Sequence, residues 1–135
     1  MVRMLSPKMN DGASIMALTY YGSTRYMQSY NVMGVAKAAL ETSIKYLAVD
    51  MGDRGIRVNA ISAGPMRTLA GAVINKSRQI YNYTIDNSPI KKPLSLEDIG
   101  KSSVYLMSDL SKGVTGEILY VDNGYNNVGM SIQDL

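Results

Sequence analysis

The chain has 135 residues and a net charge of +3, and it contains neither cysteine nor histidine. This composition excludes disulfides, thiolate chemistry, histidine-based catalytic triads and the usual zinc sites, so we predict no metal site. The longest basic run is Lys91–Lys92 and no apolar stretch approaches the roughly 20 residues of a membrane span, so we expect a cytoplasmic protein with no nucleic-acid and no membrane partner.

The first predicted elements are the end of a helix and a strand. Residues 1–9 hold several apolar positions ahead of Gly12, a pattern typical of the last turns of a helix and the loop that leaves it. Ser14–Leu18 is an apolar run of strand length, which predicts a strand buried on both faces in a parallel sheet. Tyr20 and Tyr21 follow this strand directly.

A long helix is predicted from about Ser29 to Met51, because apolar residues recur there at three- and four-residue steps. Tyr30 lies in its first predicted turn and Lys37 about 10 Å further along the axis, on nearly the same face. A cation close to a phenol favours the ionised form, so such a pair could donate a proton or a strong hydrogen bond to a developing oxyanion. On spacing alone, an ordinary surface pair is the other interpretation.

The second strand is predicted at Ile56–Ile61, after a turn at residues 52–55 that ends the helix. A helix that links two strands in this way indicates a right-handed crossover in a parallel sheet. The sharp turn at residues 62–65 then lies at the carboxyl end of the second strand, where open α/β sheets bind ligands.

The last part of the chain predicts a weakly helical segment, a well-capped helix and a third strand. The weakly helical segment covers residues 69–87. Ser95 is expected to cap the next helix, with Asp98 near the capping-box position and an apolar stripe that continues to Leu110. Residues 117–121 predict the third strand.

The order of elements predicts an α/β fold, namely the carboxyl-terminal half of a Rossmann-like, doubly wound parallel sheet with three strands and flanking helices. A dinucleotide fold normally opens with a glycine-rich strand-to-helix turn, and no two of the twelve glycines are spaced as Gly-x-Gly. We therefore expect residues 1–135 to form a single partial domain. Its first strand would expose an apolar edge, which favours association with another chain.

Two blocks of sequence carry a specific resemblance. The first is Tyr20 followed ten residues later by Tyr30-Asn31-Val32-Met33-Gly34-Val35-Ala36-Lys37, and the second is Arg57-Val58-Asn59-Ala60-Ile61-Ser62-Ala63-Gly64-Pro65-Met66-Arg67-Thr68. Over about residues 11–130 the chain resembles the bacterial enoyl-acyl-carrier-protein reductases, a divergent branch of the short-chain dehydrogenase/reductase superfamily. Common members of that superfamily place the lysine four residues after the tyrosine, where this chain has Gly34. The seven-residue step marks the enoyl reductase branch.

The resemblance implies an NADH-dependent oxidoreductase of fatty acid biosynthesis that reduces the trans-2 double bond of an enoyl thioester on acyl carrier protein. It implies catalytic roles for Tyr20, Tyr30 and Lys37. The implied cofactor contacts are Leu18, Thr19, Lys37, Ala63, Gly64, Pro65, Met66 and Thr68. The implied substrate contacts are Tyr20, Tyr30, Met33, Ala70 and Ile74.

The resemblance also implies that residues 69–87 close over the acyl chain and that the long helix helps to form a homo-oligomer, usually a tetramer. A packing role for Tyr20 and a simple covering role for residues 69–87 stay open. So do the choice between NADH and NADPH, the acyl-chain length preference and the inhibitor sensitivity. The expected half-fold could be a truncated reading frame, a deliberate fragment or a degenerate paralogue.

Two other functions remain possible from the sequence. One is a carbonyl-reducing short-chain dehydrogenase, although such enzymes usually carry a catalytic serine near the end of the first strand, where this chain has Leu18-Thr19-Tyr20. The other is a non-catalytic remnant or assembly module that lacks the nucleotide-binding half.

Overall fold

The structure is a computed structural model that describes residues 2–66 and 76–130. Its α-helices are α1 (Val2–Leu5), α2 (Val32–Asp50), α3 (Ser77–Asn87) and α4 (Leu96–Met107). Its strands are β1 (Ser14–Thr19), β2 (Arg57–Ala63) and β3 (Ile118–Val121). Short 3-10 turns lie at Ser6–Lys8, Tyr21–Ser23, Gly52–Arg54, Asp109–Ser111 and Tyr125–Asn127.

The strands form one parallel sheet in the order β1-β2-β3, which confirms the predicted α/β architecture with three parallel strands. The β1–β2 register runs from Ser14 opposite Arg57 to Thr19 opposite Ser62. The β2–β3 register ends with Ala63 opposite Val121. All three carboxyl ends therefore meet at one edge of the sheet, as parallel pairing requires.

Helices cover both faces of the sheet. On one face, Ile44 and Ala48 of α2 pack on Val58 and Ala60 of β2. On the other face, Ile99 and Leu106 of α4 pack on Ile61. Burying a large apolar side chain contributes about 1.5–3 kcal/mol, so these two clusters hold the three layers together. β2 is the most buried strand because it has a neighbouring strand on each side and a helix on each face.

β1 is less buried than the sequence predicted. All but one of its residues are partly or fully exposed, and Leu18 exposes 52% of its surface. The reason is its position, since among the described residues β1 pairs with β2 alone and lies at the edge of the sheet. Strand-forming composition does not distinguish a central strand from an edge strand.

Helix α2 begins at Val32, three residues later than predicted, so Tyr30 lies outside the helix. The backbone explains the difference. Ser29 has φ 65° and Asn31 has φ 46°, whereas an α-helix requires a φ of about −63°. Tyr30 instead belongs to the turn that leads into α2, where its carbonyl accepts a hydrogen bond from the Met33 amide at 3.1 Å.

The capping box predicted for α4 is confirmed. The Ser95 hydroxyl accepts from the Asp98 amide at 3.1 Å, and the Asp98 carboxylate accepts from the Ser95 amide at 3.0 Å. The helix ends at Met107, three residues before Leu110. There the Arg57 guanidinium of β2 donates to the carbonyls of Leu106 at 2.9 Å and Ser108 at 3.1 Å, which satisfies groups that every helix end leaves unpaired.

Of the predicted segment 69–87, the structure describes helix α3 and Lys76, and the rest lies outside the described residues. Across residues 2–66 and 76–130, no helix is both long and apolar enough to cross a bilayer.

Candidate active site

Lys37 ties helix α2 to the carboxyl end of β1. Its ammonium donates a hydrogen bond to the Leu18 carbonyl at 2.9 Å. An ammonium has three donors, so two remain for a ligand at this edge of the sheet. The predicted cofactor residues Leu18, Thr19 and Lys37 are therefore brought together in space.

Tyr20 and Tyr30 form a second contact at the same edge. Their ring centroids lie 4.9 Å apart with the planes at 67°, an edge-to-face arrangement. Gly22 leaves the room that this pair needs, because a Cβ at that position would lie 2.5 Å from Cδ1 of Tyr30. Tyr30 is 8% exposed, so its ring is held inside the fold rather than presented on a helix surface.

The turn before α2 changes the predicted relation between Tyr30 and Lys37. The expectation that Tyr30 and Lys37 share one helical face was wrong, because the helix begins at Val32 and Asn31, between Tyr30 and the helix, has φ 46°. Packing decides its position instead, through Tyr20 and the space above Gly22. The structure brings Tyr20 to Tyr30, and it brings Lys37 to the strand that precedes Tyr20.

Burial controls the ionisation of both phenols. Desolvation raises the pKa of Tyr30 above its ordinary value. Desolvation also raises the pKa of Tyr20, and the neighbouring phenols of Tyr125 and Tyr30 raise it further. The sequence-based expectation, a cation that favours the ionised phenol, gives the opposite direction. At neutral pH both groups are protonated and can act as hydrogen-bond donors.

The turn after β2 forms the neighbouring wall. The Gly64 amide donates to the Val121 carbonyl at 2.9 Å, and a Cβ at Gly64 would lie 3.1 Å from Cα of Asp122. Met66 packs on the Ile61 cluster. Ala63 is the last residue of β2. The chain then leaves the sheet through the other predicted cofactor residues, Gly64, Pro65 and Met66, at the carboxyl-end edge where Lys37 also lies. Thr68 lies outside the described residues.

An open pocket of about 400 Å³ lies between the segment before α2 and helix α3. Its lining is rich in tyrosine and apolar side chains: Tyr26, Met27, Ile80, Tyr83 and Tyr125. The sequence analysis placed Ile80 and Tyr83 in the covering segment 69–87 but named none of these five residues as a substrate contact. Of the predicted acyl contacts, Met33 lies half-exposed in the first turn of α2, while Ala70 and Ile74 fall outside the described residues.

Glu41 is a second feature that the sequence analysis missed. It lies one helical turn after Lys37, is 8% exposed, and accepts hydrogen bonds on Oε1 from the hydroxyls of Thr19 at 2.6 Å and Ser23 at 2.5 Å. The signal was present in the sequence, because Glu41 stands on the same helical stripe as the core residues Ile44 and Ala48. A charged residue on a core-facing stripe requires buried polar partners.

Within residues 2–66 and 76–130, no three His, Cys, Asp or Glu side chains are grouped to hold an ion. Asp122, at the end of β3, is used within the chain. Its carboxylate accepts from the amides of Gly124 at 3.0 Å and Asn126 at 2.9 Å.

Comparison with known proteins gives a consistent picture. The family model described as enoyl-(acyl carrier protein) reductase matches residues 1–126. Enoyl-[acyl-carrier-protein] reductase [NADH] 1 of Rhizobium meliloti (strain 1021) is 60% identical over 126 residues, which are 93% of this chain and 46% of that protein. The chain spans about half the length of the curated relatives that it matches.

Solved structures agree with the sequence relatives. FabI from Candidatus Liberibacter asiaticus superposes with a TM-score of 0.91 at 56% identity, over 96% of this chain and 50% of that one. The enoyl-(acyl-carrier-protein) reductase from Anaplasma phagocytophilum in complex with NAD gives a TM-score of 0.88 at 52% identity, over 94% of this chain and 48% of that one.

Proposed function

We propose, from the premise that this chain belongs to the enoyl-(acyl carrier protein) reductase family, that it supplies the catalytic residues of an NADH-dependent enoyl reductase. The substrate would be a trans-2-enoyl thioester on acyl carrier protein, and the process fatty acid biosynthesis. The observation that carries the proposal is the cluster at the sheet edge, where the Lys37 ammonium is bonded to Leu18 and the Tyr20–Tyr30 ring pair follows directly.

The donor set at this edge fits a nicotinamide nucleotide. The two unused donors of Lys37 suit the vicinal hydroxyls of a ribose, and the strand ends at Leu18, Thr19 and Ala63 offer backbone groups beside it. Gly64, Pro65 and Met66 would border the nicotinamide, and Thr68 would contact the pyrophosphate. When bound, the reduced nicotinamide supplies the hydride that adds to the β-carbon of the substrate.

Tyr30 would stabilise the charge that the reaction creates. As the β-carbon gains its hydrogen, the electron pair of the double bond moves toward the thioester oxygen. A protonated phenol can donate a hydrogen bond to that oxygen, and the raised pKa of Tyr30 keeps the proton in place at neutral pH. Tyr20 would line the site over the acyl group and hold Tyr30 through the ring contact. The Lys37 ammonium would add positive charge nearby.

The acyl chain would extend along an apolar path. Met33, Ala70 and Ile74 are the proposed contacts, with residues 69–87 as the covering segment. The tyrosine-rich pocket beside α3 supports this proposal, because it offers an apolar, open space next to the segment that carries Tyr30.

Self-association belongs to the same proposal. Several apolar side chains on α2 are exposed, among them Val32, Val35, Tyr46 and Val49. A soluble helix rarely leaves such a surface open, so we propose that α2 packs in a homo-oligomer, with a tetramer as the expected size. We also propose a cytoplasmic location, which cell fractionation would test.

The direct test compares crotonyl and acetoacetyl thioesters side by side in the full-length protein that carries this sequence, with NADH oxidation as the signal. We expect turnover of the crotonyl thioester and little of the acetoacetyl thioester. The reverse preference would indicate the carbonyl-reducing alternative. No turnover of either substrate would reject the proposed function.

A non-catalytic assembly module is the second candidate, and two exposed surfaces favour it. Among the described residues β1 pairs with β2 alone, and α2 exposes several apolar side chains. Titration of the purified 135-residue chain with NADH separates the candidates. Saturable binding supports an assembled cofactor site, whereas no binding supports a module that acts through its surfaces.

A further inference from the structure

Glu41 is a buried carboxylate whose partners are hydroxyl groups. It is 8% exposed, and no ion pair found among the described residues involves it. Both of its hydrogen bonds converge on Oε1, at 2.6 Å from the Thr19 hydroxyl and 2.5 Å from the Ser23 hydroxyl. Both distances lie at the short end of the range for O–H···O hydrogen bonds.

The two hydroxyls belong to the ends of one short segment. Thr19 is the last residue of β1, and Ser23 ends the 3-10 turn that follows. Tyr20 and Gly22 lie between them. Lys37, one turn earlier on α2, holds the Leu18 carbonyl at 2.9 Å. Helix α2 therefore holds residues 18–23 at three points, two of them through Glu41.

This segment determines where the two site phenols lie. Tyr20 contributes one ring of the edge-to-face pair, and Gly22 provides the surface on which the Tyr30 ring rests. A displacement of the segment toward Tyr30 would close the space above Gly22, because a Cβ built there would already lie 2.5 Å from Cδ1 of the Tyr30 ring.

We propose that Glu41 is a positioning residue for the reductase reaction. It acts through Thr19 and Ser23 on Tyr20 and Tyr30, and touches neither substrate nor cofactor. The effect of Glu41 on turnover rests on the proposed function. Its effect on the positions of the Tyr20 and Tyr30 rings rests on the ring geometry alone. Removal of the carboxylate would leave two hydroxyls without their acceptor, and of the three contacts only the one between Lys37 and Leu18 would remain.

The experiment compares Glu41→Ala, Glu41→Gln and Ala48→Gly with the wild type, in the full-length protein that carries this sequence. Gln keeps an acceptor oxygen and nearly the same volume. Ala48→Gly weakens the same helix at a buried position two turns away and serves as the stability control. The readouts are the Tyr20–Tyr30 ring-to-ring nuclear Overhauser effects with ring-labelled tyrosine, the kcat and KM with crotonyl thioester and NADH, and the thermal midpoint.

We expect Glu41→Ala to lose the ring-to-ring effects and to lower kcat by about 10- to 100-fold with the KM for NADH changed less than about threefold. Glu41→Gln should keep the ring contacts and most of the activity. Ala48→Gly should lower the thermal midpoint and leave both site readouts unchanged. The proposal is overturned if Glu41→Ala keeps the ring contacts, or if Ala48→Gly loses contacts and kcat to the same extent.

If Glu41→Ala does not fold, Ser23→Ala replaces it, with the exposed Ser43→Ala of α2 as its control. Weakened ring contacts in Ser23→Ala but not in Ser43→Ala support the proposal, and unchanged contacts in Ser23→Ala overturn it. A wild type without reductase activity rejects the proposed function, while the ring contacts still decide whether Glu41 positions the phenols.

Discussion

The Lys37 ammonium and the Leu18 carbonyl oxygen lie 2.9 Å apart and join helix α2 to the end of strand β1. This contact places a positive charge at the sheet edge where a nucleotide would bind. It also uses only one of three ammonium donors, which leaves two that a ligand could accept from.

Lys37→Ala should weaken NADH binding and slow turnover in the full-length protein. Charged hydrogen bonds contribute about 1.5–3 kcal/mol, so we expect a loss of affinity of about 10- to 100-fold. Calorimetric titration with NADH measures it. Lys45→Ala, an exposed lysine two turns further along α2, should bind NADH like the wild type. Unchanged affinity and turnover in Lys37→Ala would reject the role assigned to this residue.

Tyr30→Phe should lower turnover without loosening the fold. The substitution keeps the ring that packs against Tyr20 and above Gly22, and it removes only the hydroxyl. Loss of one donor to a developing oxyanion typically lowers kcat by about 10²- to 10³-fold. Steady-state kinetics and a melting curve would be measured together. Tyr46→Phe, on the exposed side of α2, is the matched control, and equal kinetics in the two variants would contradict the prediction.

Gly22→Ala should disturb the phenol pair. Its Cβ would meet Cδ1 of Tyr30 at 2.5 Å and Cε1 at 2.8 Å, so the ring must move. Overpacking of this kind costs about 1–3 kcal/mol in the free energy of unfolding, which denaturant titration measures. Gly100→Ala is the control, because a Cβ there meets no heavy atom within 4 Å. That change should instead stabilise helix α4 by about 0.5–1 kcal/mol. A Gly22→Ala variant as stable as Gly100→Ala would show that Tyr30 is not packed over Gly22.

Stability should fall in alkaline solution. Burial raises the pKa of Tyr20 and of Tyr30 in the folded state above the value of about 10 that holds for the unfolded chain. Above that pH the unfolded state loses protons that the folded state retains, so the free energy of unfolding decreases as pH rises through and beyond about 10. Below that range these two groups contribute no pH dependence. Urea titrations between about pH 8 and pH 11 would measure the trend, and Tyr20→Phe should reduce the slope above about pH 10.

Local signals were sufficient for much of the fold. The apolar runs predicted β1 and β2 to within two residues, and the Ser95/Asp98 spacing predicted the capping box of α4. These features depend on neighbours in sequence. They are therefore visible in periodicity and in short polar patterns.

Tertiary contacts decided the features that sequence reasoning missed. The positive φ angles at Ser29 and Asn31 belong to a turn whose Tyr30 ring is buried against Gly22, and nothing in the helical pattern from Val32 onward indicates where the helix must begin. The apolar run of β1 predicted burial on both faces, whereas its exposure follows from its place at the edge of the sheet, which the order of elements did predict. The chemistry assigned to Tyr30 and Lys37 came from a resemblance between whole motifs, since the spacing of these two residues alone predicted a shared helical face that the structure does not have.

The edge-to-face contact of Tyr20 and Tyr30 also has an optical consequence. The chain has ten tyrosines and no tryptophan or phenylalanine, so its near-ultraviolet circular dichroism comes from phenol chromophores alone. Two such chromophores at 4.9 Å and fixed in orientation couple their transitions, whereas an exposed, rotating ring contributes little. Together with the second edge-to-face pair, Tyr21–Tyr125, this pair therefore makes the near-ultraviolet signal of unlabelled protein sensitive to whether a bound nucleotide shifts one ring against the other.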